Sequence, residues 1–142
     1  IKNKTFTIPA SRIKIKQRGD HIVPLSNLAI PIIQELMQQQ GSAGQMFPHR
    51  DNPTATAHVS TIRMAILRWC EKHSVKPFNP RDLRRTCKTL MGKAGINKTN
   101  RDILQQHHKF DVSSVHYDRY DYIAEKRESI EVWERFIKKA TE

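Results

Sequence analysis

The sequence predicts a mainly α-helical protein of the α+β class, with a small antiparallel β-hairpin or sheet at its N-terminal end. Apolar and polar residues alternate between about residues 4 and 25, which is typical of strands. From about residue 27 to 139 the apolar residues recur every three or four positions, which is typical of helices. Because 142 residues make one domain of ordinary size, residues 1–142 are predicted to form a single domain.

Two alternating stretches predict the strands. Lys4–Ile8 alternates first, and Arg12–Lys16 alternates again with its isoleucines on one face and its basic residues on the other. After a turn at 17–20, residues 21–23 are predicted to return as the second arm of a hairpin. Pro24 ends this arm because proline cannot donate a hydrogen bond to a β-ladder.

Local capping signals set the helix boundaries. Ser26 or Asn27 is expected to cap the first helix. The third begins at Asn79-Pro80, a good N-cap followed by a favoured first helical residue, and Asp82 suits the positive end of its dipole. The predicted helices span about residues 27–40, 55–73, 79–95, 99–106, 112–120 and 123–139.

The net charge of +11 and the pI of about 10.0 predict a polyanionic partner, although charge alone does not separate DNA from RNA, heparin or an acidic membrane. With no apolar run of 18 residues and no leader, a soluble cytoplasmic protein is expected. The first residue is Ile1, so we expect a piece of a longer protein. Cys70 and Cys87 are expected to be buried thiols; Cys70 and His73 have half of a zinc-site spacing, but no second half follows.

The third predicted helix carries a basic face. On a helical wheel its core face consists of Leu83, Cys87, Leu90, Met91 and Ala94. Arg81, Arg85 and Lys88 point away from that face, and Arg84 lies at its rim. Arg81 and Arg84 are three residues apart, so both guanidinium groups could bind one phosphate. A solvated basic face that touches the DNA backbone without specificity is the alternative.

Tyr117 is a candidate nucleophile. If residues 112–122 are helical, Tyr117 projects away from the core face, but so does Tyr120, and periodicity leaves both open. A phenol with a pKa of about 10 is a weak nucleophile at neutral pH and needs cationic neighbours or a base. His107, His116 and the arginine pair could supply them.

Several motifs occur in a fixed order: Asn79-Pro-Arg-Asp-Leu-Arg-Arg-Thr86, Leu104-Gln-Gln-His107, His116-Tyr-Asp-Arg119, then Glu125-Lys-Arg127 and Trp133. Together they resemble the C-terminal half of the catalytic domain of the tyrosine recombinase, or phage integrase, family. His21–Ser26 resembles the strand that follows this family's catalytic lysine. The resemblance covers nearly the whole chain and is closest to the integrases of prophages and genomic islands. It implies part of the tyrosine recombinase catalytic-domain fold.

The resemblance also implies a role for each matching residue. Tyr117 would attack the scissile phosphate, forming a 3′-phosphotyrosyl link and freeing a 5′-hydroxyl. Arg84 would bind the non-bridging oxygens, and His107 would hydrogen-bond the same phosphate. The hairpin lysine that protonates the leaving oxygen is matched best by Lys14, with Lys16 as its competitor. No metal, nucleotide or other cofactor is expected.

The chain departs from the family pattern at two points. Arg81 stands where the family usually has histidine; arginine cannot accept a proton, so phosphate binding survives there while a general-base role does not. The family's first catalytic arginine, which precedes the hairpin, has no match, so this piece alone is expected to be weakly active or inactive. Phosphate binding is further expected of Arg85, Lys88 and Lys16.

The implied partner is double-stranded DNA carrying attachment sites, bound in the full-length protein by a homotetramer in the bacterial nucleoid, without membrane association. Two other functions are weighed against recombination. The presence of Arg84, His107 and Tyr117 argues against a DNA-binding module without chemistry. The short length and the integrase-like ending argue against a type IB topoisomerase.

Overall fold

The structure, a computed structural model, describes residues 3–13, 19–39, 44–52, 54–107 and 120–142. Within them lie two strands and five α-helices, so the predicted α+β class is confirmed. The elements are β1 (Thr5–Ile8), β2 (His21–Pro24), α1 (Ala29–Gln38), α2 (Val59–Lys72), α3 (Pro80–Lys93), α4 (Lys98–Leu104) and α5 (Ile123–Thr141). The helix predicted at 112–120 falls outside the described residues, except for Tyr120, which is not helical.

The chain divides into two compact units. The first consists of Ile1–Pro31 and Leu90–Glu142, and the second of Ile32–Thr89. Helices α1 and α3 each contribute residues to both units. The prediction that residues 1–142 form one domain stays a prediction.

The sheet pairs β1 with β2 in an antiparallel register that aligns Thr5 with Pro24 and Ile8 with His21. The predicted second arm of the hairpin is therefore present, but its partner among the described residues is β1. The strand predicted at Arg12–Lys16 is wrong at its first residue, because Ala10–Arg12 forms a 3-10 helix. Residues 14–18 lie outside the described residues.

The core of the first unit is small and lies where α5 packs against β2 and α4. Its buried apolar residues are Met91, Ile96, Ile103 and Leu104. Four polar residues are buried as well: His21, Lys126, Ser129 and Glu134. Such groups lose hydration on burial and require hydrogen-bond partners. Ser129 accepts a hydrogen bond from the amide of Asn100 (3.2 Å), and Glu134 accepts one from the backbone N–H of Asn27 (2.8 Å).

The turn between α3 and α4 follows from local sequence. Gly95 has a φ of +90°, and the N–H of Ile96 donates to the carbonyl of Met91 (3.0 Å), which is the Schellman pattern of a helix end. Two residues later the side chain of Asn97 accepts from the N–H of Asn100 (2.8 Å) and caps α4. The predicted end of α3 near Gly95 is confirmed.

In the second unit, α2 begins after His58, whose side chain accepts from the N–H of Ser60. Cys70 is fully buried and free, as predicted. Cys87 is also free but only half-buried, and burial raises the pKa of its thiol. The prediction that Leu83 belongs to the core face is wrong, since it is 55% exposed. Burial along this face of α3 increases only toward its C-terminal end, where Met91 is 4% exposed.

Candidate active site and basic surface

The first turn of α3 is fixed by hydrogen bonds at its N-cap. The backbone N–H of Asn79 donates to the carboxylate of Asp82 (3.0 Å), and Pro80 supplies the first helical residue. The side-chain oxygen of Asn79 accepts from the Nε–H of Arg63 on α2 (3.1 Å). These bonds fix the start of the helix that carries the candidate arginines.

Four of the five basic residues of α3 lie on one side of the helix, which we call the α3 basic face: Arg81, Arg84, Arg85 and Lys88. The three arginines are exposed, and Lys88 is half-buried. Arg85 lies 3.9 Å from Asp82, with the two side chains 80% and 46% exposed. An ion pair this long and this exposed contributes little to stability, so the guanidinium of Arg85 can exchange it for a phosphate. The predicted outward direction of Arg81 and Arg85 is confirmed.

Arg63 extends the set of cations near the start of α3. Sequence analysis did not link Arg63 to the α3 arginines. Its bond to Asn79 joins residues 16 positions apart, one within α2 and the other just before α3. No local pattern signals such a contact.

His107 lies three residues after the end of α4 and is exposed. Its backbone N–H donates to the carbonyl of Asp102 (2.7 Å), and the preceding Gln106 has a left-handed φ of 55°. Asp102 also accepts from Lys98 (3.2 Å), within the same short helix. The backbone at His107 is thus fixed by the end of α4.

Tyr120 has an environment that disfavours its phenolate. The charge of Glu125, aided by partial burial, a hydrogen bond to the same carboxylate and the charge of Asp121, raises the pKa of Tyr120 above 10.0. Its ring packs edge-on against Tyr122, with the ring centroids 4.8 Å apart. A tyrosine beside a carboxylate is a poorer nucleophile than one beside cations. This observation bears on the choice between Tyr117 and Tyr120, which periodicity leaves open.

Lys126 is a buried cation to which sequence analysis assigned no role, although it lies in the Glu125-Lys-Arg127 motif. It is 7% exposed, and its ammonium group donates to the carbonyls of Ile22 (3.0 Å) and Asp121 (2.9 Å). Burial lowers the pKa of Lys126, and the charges of Asp121 and Glu125 oppose part of that effect. One sequence signal could have found it, because a lysine near the start of a helix lies at the positive end of the dipole.

His21 is the second buried polar residue of interest. It is 8% exposed, and its Nε2 lies 3.1 Å from the carbonyl oxygen of Leu104. Since a carbonyl only accepts, Nε2 carries the proton in this bond. Leu104 is the last residue of α4, three residues before His107.

The predicted site residues that the structure describes belong to two different units. All four residues of the α3 basic face belong to the second unit, whereas His107 belongs to the first. Tyr117, His116, Lys14 and Lys16 lie outside the described residues, and their roles stay predictions.

Two absences hold for the part of the chain that the structure describes. No group of three or more histidine, cysteine, aspartate or glutamate side chains there could hold a metal ion. None of the helices described is both long and apolar enough to cross a bilayer.

Comparison with known proteins gave one match. The model of a family described as the phage integrase family matches residues 1–120, which is 120 of the 142 residues. No curated protein and no solved structure matched the chain. The matched range includes the α3 basic face, His107, Tyr117, Lys14 and Lys16.

Proposed function

Because the chain belongs to the phage integrase family, we propose that it cleaves and rejoins duplex DNA through a covalent 3′-phosphotyrosyl intermediate, with Tyr117 as the nucleophile. The family points to site-specific DNA recombination and implies DNA binding. The family match over residues 1–120 carries this proposal. The net charge of +11 and the exposed arginines of α3 support it.

In the proposed reaction the phenolic oxygen of Tyr117 loses its proton to water and forms a bond to phosphorus, while the bond from phosphorus to the 5′ oxygen breaks. Negative charge builds up on the non-bridging oxygens in the transition state. Arg84 and Arg81 bind these oxygens, and His107 donates a further hydrogen bond. Lys14, or Lys16 as its competitor, gives a proton to the leaving 5′ oxygen. Rejoining runs the same steps in reverse, because the phosphotyrosyl bond retains the energy of the phosphodiester.

The choice of Tyr117 over Tyr120 has support from the described residues. The charge of Glu125 raises the pKa of Tyr120, which disfavours the phenolate of this tyrosine. An attacking phenol must instead lose its proton. Arg81 cannot take that proton, so we propose that Arg81 acts only through its charge.

The proposed substrate is duplex DNA carrying attachment sites, recombined by a tetramer on paired sites in the nucleoid of a bacterial cell. We further propose a prophage or another mobile element as the source of the gene. Arg85, Lys88 and Lys16 would bind flanking phosphates, where they add affinity without reading sequence.

The test is whether the protein that the natural gene encodes forms a covalent adduct with DNA. Duplexes are first selected from a random pool by binding, and a nick is then placed near the cleavage site so that the released strand diffuses away. We expect an adduct that resists denaturation and disappears in Tyr117→Phe. Tyr120→Phe is the matched control and should keep the adduct. An adduct that survives Tyr117→Phe would overturn the assignment, and relaxation of supercoiled plasmid without strand exchange would indicate a topoisomerase.

A further inference from the structure

Two adjacent residues of β2 make polar contacts with other parts of the chain. One partner precedes residues 108–119 in the sequence, and the other follows them. The side chain of His21 binds the carbonyl of Leu104, which precedes this stretch. The carbonyl of Ile22 binds the ammonium group of Lys126, which follows it. All of these residues belong to the first unit.

The contact that precedes the stretch fixes the end of α4. His21 donates to Leu104, the last helical residue, from a position that is 8% exposed. Two residues later Gln106 has a φ of 55°, a left-handed conformation that residues other than glycine rarely adopt. Such a backbone persists only when surrounding contacts hold it. The bond from His21 is one of those contacts, and His107 is the next residue.

The contact that follows the stretch has the same character. Lys126 donates to the carbonyl of Asp121 as well as to that of Ile22, so it links the chain just before α5 to β2. The residue after Asp121 is Tyr122, which also has a left-handed φ of 54° and forms the N-cap of α5. Burial of an ammonium group costs free energy, and here hydrogen bonds to two backbone carbonyls offset that cost.

We propose that His21 and Lys126 are positioning residues for the cleavage reaction, which hold both ends of the chain between Leu104 and Asp121 on β2. This inference rests on the proposed function, because Tyr117 lies between these two residues in the sequence. Neither side chain contacts DNA in the proposal. They act through the backbone, by fixing where that part of the chain begins and ends.

The physical reason is that in-line attack on phosphorus requires the nucleophile to be placed accurately. A displacement of about 1 Å in a reacting group can reduce the rate on the order of 100-fold. A nucleophile carried between two elements depends on the separation and direction of both. Fixing both elements on one strand removes that freedom without adding a group to the active site.

The test compares donor-removing with donor-retaining variants in the adduct assay. Lys126→Met keeps the length of the side chain and removes its N–H groups, whereas Lys126→Arg keeps donors. His21→Leu removes the donor, whereas His21→Gln places an amide nitrogen near the position of Nε2. At saturating DNA we expect Lys126→Met and His21→Leu to lower the cleavage rate on the order of 10- to 100-fold. The Kd for DNA should stay within about twofold, and His21→Gln should recover most of the rate.

Glu134→Gln is the matched control. Glu134 is a second buried polar group of α5, but it binds the backbone of Asn27. A general loss of stability would lower the cleavage rate of this variant as much as that of Lys126→Met. Equal effects in the two variants would overturn the proposal. So would an unchanged cleavage rate in both donor-removing variants.

A second readout separates this inference from the proposed function. Hydrogen exchange reports the backbone N–H groups of His107, bonded to Asp102, and of Lys126, bonded to Tyr122, without any chemistry on DNA. We expect faster exchange at His107 in His21→Leu and at Lys126 in Lys126→Met, relative to the N–H of Ala94. Unchanged exchange would refute the role of β2. An absent adduct in the unmodified protein, with these exchange effects present, would refute the proposed function alone.

Discussion

Replacing Arg85 with alanine should weaken DNA binding and reduce the dependence of that binding on salt. Each phosphate neutralised by a basic side chain contributes about 0.9 to the slope of log Kd against log salt concentration. If all four cations of the α3 basic face bind phosphates, they contribute a slope of about 3.6, which weakens binding about 150-fold between 50 and 200 mM salt. Arg85→Ala should lower the slope by about 0.9, so binding should weaken about 3.5-fold less over that range.

The substitution is suited to this test because the fold does not depend on Arg85. Its side chain is 80% exposed, and its ion pair with Asp82 is 3.9 Å long, so its removal should change stability little. Fluorescence anisotropy with a labelled duplex, measured at five salt concentrations, gives the slope. Lys139→Ala is the matched control, since it removes one exposed charge from α5. Equal changes in slope for the two variants would mean that overall charge, and not the α3 basic face, binds the DNA.

Three further predictions concern single side chains. Glu125→Gln should lower the pKa of Tyr120 toward 10.0, because the charge of Glu125 is the largest cause of the increase. Phenolate absorbance measures this pKa in a variant with the other two tyrosines changed to phenylalanine. An unchanged titration midpoint would contradict the prediction. His58→Asp should stabilise α2 by about 0.5–1 kcal/mol in thermal unfolding, since aspartate is a better cap beside the helix dipole; no gain over His58→Ala would argue against capping there. Hydrogen bonds from Lys138, the larger cause, and from the backbone N–H of Asn27 lower the pKa of Glu134 below 4.5. The ionised carboxylate therefore stabilises the fold above the ordinary glutamate pKa, and this stabilisation is lost as pH falls through the pKa of the folded state. The difference in Tm between the native chain and Glu134→Gln should therefore shrink in acid, and a constant difference would oppose this.

Local sequence was enough to predict most helix boundaries. The start of α3 follows from Asn79-Pro80, and its end follows from Gly95, because these residues favour caps through their own backbone preferences. Leu83 was assigned wrongly because a helical wheel gives the direction of a side chain without showing whether another element covers it. The same reasoning correctly predicted that Arg81 and Arg85 are exposed.

Contacts between distant residues could not be predicted from the sequence. The bond between Lys126 and Ile22 joins positions 104 residues apart, and the bond between His21 and Leu104 joins positions 83 apart. Periodicity indicates which residues of one element share a face, but not which backbone group a buried lysine reaches. The pairing of β2 with β1 is non-local in the same sense, and a single sequence holds no signal for it.

The burial of Lys126 is better explained by the arrangement that its hydrogen bonds fix than by stability. A buried ammonium group loses hydration, and a well-packed apolar side chain often contributes as much stability or more. Lys126 nevertheless occupies a site that is 7% exposed, in a unit whose apolar core is small. What it supplies, and an apolar residue does not, is a directed bond to two named carbonyls, those of Ile22 and Asp121. A lysine at this place therefore fixes one arrangement of β2 and α5.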